Sequence, residues 1–68
     1  MSHNDEIERK IAEAKKTLAE SKHLLAQLSG DPKDYEAAAL LFDECEGTDA
    51  EQKARQCRKA ARLLMEAE

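Results

Sequence analysis

IERKIAEAKKTLAESKHLLAQL, residues 7–28, carries Ile7, Ile11, Ala14, Leu18, Ser21, Leu25 and Leu28 at alternating spacings of four and three. Such an a/d pattern, held for three heptads without a slip, predicts a long helix lying lengthwise along other helices. Upstream, Asn4 is placed to cap this helix, and Asp5, Glu6 and Glu8 suit the positive end of its dipole. Downstream, Ser29-Gly30-Asp31-Pro32 stops one helix and starts another. Gly30 fits a left-handed C′ position, Asp31 an N-cap, and Pro32 the first helical position, where no amide donor is needed. Glu46-Gly47-Thr48-Asp49-Ala50-Glu51 repeats the arrangement, with Gly47 closing the second helix and Thr48 and Glu51 forming a capping box for the third. The expected helices are therefore about 4–29, 32–46 and 49–67. Their short connections make consecutive helices antiparallel, giving one all-α domain over residues 1–68, a short up-down-up three-helix bundle with coiled-coil-like seams.

Helices 2 and 3 carry seams of their own. Tyr35, Ala38, Phe42 and Cys45 line one, with Leu41 beside it, and Ala50, Ala54, Cys57, Ala61 and Leu64 line the other. Charge sorts by element: helix 1 is balanced, residues 31–47 hold six acids against Lys33 alone, and residues 48–68 are slightly basic. An acidic helix 2 beside a more basic helix 3 favours their antiparallel pairing.

Composition narrows the function classes. At 68 residues and thirteen large apolar side chains between Ile7 and Met65, the core is modest, a size class worth only ~3–5 kcal/mol net and often reliant on a partner. A net charge of −4 argues against generic nucleic-acid or anionic-membrane binding. No apolar run approaches a membrane span and residues 1–10 do not read as a signal peptide, so the expected location is cytoplasmic. One Phe, one Tyr and no Trp leave no aromatic platform for a cofactor, and none is implied. The soft ligands Cys45, Cys57, His3 and His23 lie ten or more positions apart in the sequence, unlike the close pairs of a zinc site. Cys45 near the turn and Cys57 two to three turns up helix 3 are too far apart to bridge. His23 reads as a surface histidine on the polar face of helix 1. No nucleophile, base and orienting group converge, no glycine-rich loop is left to hold phosphate, and no cleft for a small-molecule substrate is expected, so the chain reads as non-enzymatic.

What remains is surface. Ala37-Ala38-Ala39-Leu40-Leu41-Phe42 is six apolar residues in a row, more than a turn of helix, so one seam cannot hide them all. Ala37, Leu40 and Leu41, rimmed by Asp43 and Glu44, form the candidate face for a partner protein. Arg55, Arg58, Lys59 and Arg62 share one face of helix 3 at i, i+3, i+4, i+7 and offer a lesser alternative, an acidic partner or nucleic acid. Helix 1, at ~39 Å, is much longer than helix 2, at ~22 Å. Helix 2 is therefore expected to cover helix 1 only down to about Ala14. Ile7 and Ile11 are left unmatched at one end, and Leu64 and Met65 overshoot at the other. A homodimer that covers these four residues makes structural self-association the runner-up to partner recognition, ahead of the basic stripe.

Residues 25–45 resemble part of a tetratricopeptide-type helix pair. The likeness rests on Leu25 and Ala26 in the first helix, Tyr35 after the turn, and Ala38, Phe42 and Cys45 in the second. It implies recognition of peptides or proteins. Lys22 stands where the family has an early aromatic, Lys33 where it has its turn glycine, and the second unit needed for stacking is absent. Regular seams, a cap at each helix start, glycine stops and an Ala/Glu/Lys/Arg surface also resemble an engineered or redesigned three-helix scaffold carrying a binding face.

Overall fold

The computed structural model describes residues 3–67, which form three helices: α1 (His3–Ser29), α2 (Pro32–Asp43) and α3 (Thr48–Ala67). The first connection is as expected. Gly30 takes φ +70° and its amide donates to Ala26 O at 2.8 Å. Asp31 is extended at φ −89°, ψ 123° and its carboxylate accepts the Lys33 amide at 2.9 Å. Ser29 Oγ accepts the Asp31 amide and donates to Asp34 Oδ2 at 2.7 Å. Lys22 Nζ stands 3.5 Å from the other oxygen of Asp34. The Ser29 hydrogen bond, aided by Lys22 against some desolvation, lowers the Asp34 pKa below its usual value. A linker of two non-helical residues, tied on both sides, fixes how α2 is rotated about α1.

The second connection departs from expectation. α2 ends at Asp43, not near residue 46, and the Glu44 and Cys45 amides donate to Leu41 O and Phe42 O in i→i−3 turns. Asp43, Glu44 and Glu46 crowd carboxylates at the negative end of the helix dipole, which favours an early stop. Gly47 takes φ +109° and its carbonyl accepts the Glu51 amide at 3.2 Å. Gly47 thus caps α3, and Thr48 lies inside the helix instead of serving as its cap. Asn4 is likewise internal, because α1 is already helical at His3.

The up-down-up bundle is opened into a layer of Cα extents 53 × 20 × 12 Å. α2 is the middle helix, packed against both others, while α1 and α3 barely meet. They touch through Glu20 and Lys53, an ion pair at 3.7 Å. The core joins Ala19, Ala38, Ala39, Phe42, Ala50, Ala54 and Cys57, with Tyr35, Leu41 and Cys45 packed on it; Ala26 and Ala61 are buried further along. Alanines let helix backbones approach closely, and Phe42 and Cys57 are the largest fully buried side chains among the described residues. The α3 seam is the one expected from its spacing, with Leu64 half-buried at its end.

The α1 seam is the main correction. Ala19 and Ala26 face α2, with Lys22 and His23 half-buried between them. Ile7, Ile11, Leu18, Leu25 and Leu28 are 47–80% exposed. One residue along a helix is a rotation of about 100°, so the alanine face lies well round from the leucine face. α2 covers the first and leaves the second open. His23 is also misplaced by the surface reading. Its ring meets Tyr35 at 6.0 Å and Phe42 at 5.9 Å, both edge to face.

Candidate functional site

α1 presents the longest uncovered apolar feature. From Ile7 to Leu28 the open stripe runs ~32 Å along the helix. It lies on an edge helix, and among the described residues only the end of α2, across a hollow at Ile11, stands near it. In heptad terms, Ile7, Ala14, Ser21 and Leu28 occupy d and Ile11, Leu18 and Leu25 occupy a. Glu8, Lys15 and Lys22 flank the stripe at e, and Lys10, Thr17 and Leu24 at g. Leu24 is exposed as well. Large apolar side chains lined up in this way on a charged helix mark a surface for another helix.

A second surface lies between α2 and α3. Leu40, 64% exposed, lines an open groove of about 430 Å³ with Glu36, Arg58, Ala61, Arg62 and Met65. The fold thus gathers residues that the spacing had assigned to three different sites: Leu40 from the α2 patch, Met65 from the self-association end, and Arg58 and Arg62 from the basic stripe. The α2 patch itself is broken up. Leu41 packs on the core, Ala37 is half-buried, and Glu44 is exposed at the helix end. Asp43 is held by the Arg58 guanidinium, whose Nη1 donates to Oδ1 at 3.2 Å and whose Nη2 donates to Oδ2. Arg55, Arg58, Lys59 and Arg62 are all exposed on α3, but Arg58 is already half of this bidentate pair. Ile7 and Ile11 stand at the overhanging end of α1, exposed as foreseen, at the opposite end of the layer from Leu64 and Met65. The four do not form one patch.

A third hollow lies under the end of α2, where Ile11, Lys15 and Lys16 face Glu44, Cys45 and Glu46. Its charges are mixed and exposed, which suits solvation more than catalysis. The thiols are free. Burial raises the pKa of Cys57, with the nearby Arg58 charge opposing it, so its reactive thiolate is disfavoured. Cys45 Sγ donates to Leu41 O at 3.5 Å. Among the described residues, no three His, Cys, Asp or Glu side chains are placed to hold a metal ion, and no helix is long and apolar enough to cross a membrane.

Leu18, Leu24, Leu25 and Leu28 were missed as surface residues because a heptad stripe reads equally as a bundle seam. The available signal was a second stripe: Ala12, Ala19 and Ala26 recur every seven residues at b. Comparison with known proteins finds no matching family model, no matching curated protein and no matching solved structure.

Proposed function

We propose that this chain is a non-enzymatic protein-association module whose docking edge is the outer face of α1. The observation that carries the reading is the exposure of Ile7, Ile11, Leu18, Leu25 and Leu28 in one line, on a helix whose inward face is alanine. A core built mostly of alanines around Phe42 holds three helices in a layer and leaves the large side chains of α1 outside. A second amphipathic helix lying along α1 would bury them, with Glu8, Lys15 and Lys22 setting its orientation. The first expectation, a face centred on α2, retains Leu40 and its groove as a smaller second surface.

The test is binding of a labelled heptad-repeat peptide, Leu and Ala at a and d and about 25 residues long to match the stripe, followed by fluorescence anisotropy. The parent protein is expected to bind it, Leu18→Glu to lose binding at least tenfold, and Leu40→Glu to keep it. Loss with Leu40→Glu and not with Leu18→Glu would transfer the docking site to the α2–α3 groove. No binding by the parent would remove the reading.

A further inference from the structure

Resting on the reading of α1 as a docking edge, we infer that the helix it accepts is α1 of a second copy, laid antiparallel and centred on Lys16. The side-chain sizes along the stripe argue for this pairing. In a parallel, in-register pair each residue meets itself, so Ala14 faces Ala14 and Ser21 faces Ser21, leaving two small layers between large ones. In the antiparallel pair centred on Lys16, a positions face d positions. Ile7 meets the second copy's Leu25, Ile11 meets its Ser21, and Leu18 meets its Ala14. Large then faces small through the middle, and the seam fills without voids.

The flanking charges point the same way. Antiparallel helices bring e beside e and g beside g. Glu8 then lies against the second copy's Lys22, twice by symmetry, while the aliphatic stem of Lys10 covers its exposed Leu24. Lys22 already faces Asp34 at 3.5 Å, so each lysine sits between two carboxylates. The one like-charge contact is Lys15 with its own copy, at the twofold axis. A parallel pair brings Lys10 against Lys15 twice and forms no Glu8–Lys22 contact.

The pairing also accounts for the overhang. α2 covers the C-terminal half of α1, and the N-terminal half, with Ile7 and Ile11, extends beyond it. Antiparallel docking lays each overhang along the other copy's covered half and closes a twofold, isologous interface. A third of the circumference of a helix over ~32 Å offers on the order of 400 Å² per copy. That is small for a specific interface, so the expected dissociation constant is micromolar.

Sedimentation across a concentration range, with disulfide capture of single-cysteine probes in a Cys45→Ser, Cys57→Ala background that removes both native thiols, tests the inference. Thr17→Cys lies beside its own copy at the axis only in the antiparallel pair. Ala14→Cys meets itself only in the parallel one. A concentration-dependent dimer, efficient capture through Thr17→Cys and little through Ala14→Cys support the proposal. So does a shift to monomer with Leu18→Glu. Capture through Ala14→Cys alone overturns the orientation, and a dimer lost with Leu40→Glu but not Leu18→Glu overturns the face. A monomer at all concentrations overturns the second copy. The heptad-peptide assay then decides separately whether α1 still docks another helix.

Discussion

Replacing Phe42 by Ala tests the alanine core most directly. Phe42 is 1% exposed and is the one aromatic ring inside a cluster otherwise made of alanines and Cys57. Its edge contacts with His23 and the Lys53 ammonium 5.7 Å from its ring centre add to its burial. Phe→Ala in a core costs about 3–5 kcal/mol, rising with the cavity left behind. Most of the buried neighbours are alanines, which have no rotamers with which to fill a hole, so much of the cavity stays open. A domain of this size has only ~3–5 kcal/mol in total. Phe42→Ala is therefore expected to be largely unfolded at 25 °C and low protein concentration. Phe42→Leu keeps most of the volume and loses chiefly the aromatic contacts, about 0.5–1.5 kcal/mol. Urea unfolding followed by far-UV circular dichroism at low micromolar protein reads both variants. Repeating it at high concentration separates the protomer's own stability from any gain by association. A cooperative Phe42→Ala transition within about 1 kcal/mol of the parent, at low concentration, would refute the argument. It would mean that Phe42 does not anchor the core of the protomer.

Two further outcomes follow from the α1–α2 contact. Ala19→Leu puts a large side chain where the two backbones meet, and overpacking of this kind costs about 1–3 kcal/mol; the same change at Ala14, on the open face, is expected to be nearly neutral in thermal unfolding of the monomer. Equal effects at the two positions would show that α2 does not distinguish these faces. Lowering the pH should loosen the first connection. The Asp34 pKa is depressed in the folded state, so its contribution is fully present above the unfolded value near ~4 and is lost as pH falls through the lower folded value. The melting temperature of the parent should thus fall more between pH 5 and pH 2.5 than that of Ser29→Ala, which lacks the main cause of the shift; coincident profiles would remove Asp34 from the account.

Local chemistry made much of the architecture readable. Gly30, Asp31 and Pro32 each carry a backbone preference that needs no distant contact, and the first turn forms as those preferences dictate. The second turn was read less well. Gly47 was read as the stop of helix 2, but the carboxylates after the apolar run end α2 at Asp43, Gly47 caps α3, and Thr48 lies inside it. His23 was misjudged because its neighbour Lys22 suggested a solvated face. A lysine is half-buried beside the edge-packed histidine because its charge reaches Asp34 across the turn.

By itself the sequence determined that there are three helices, where they turn, which face of α3 is buried, and that Ile7 and Ile11 lack cover within the chain. It could not say which face of α1 meets α2. Two stripes compete there, one of leucine and isoleucine and one of alanine, and periodicity records only that each repeats every seven residues. Tertiary structure decided between them. The two-residue linker, tied through Ser29, Asp34 and Lys22, fixes the rotation of α2 about α1, and alanine allows close approach where Phe42 must fit. A single neighbour covers only one side of a helix, so the larger stripe stays outside. Its apolar area is left unburied within the protomer.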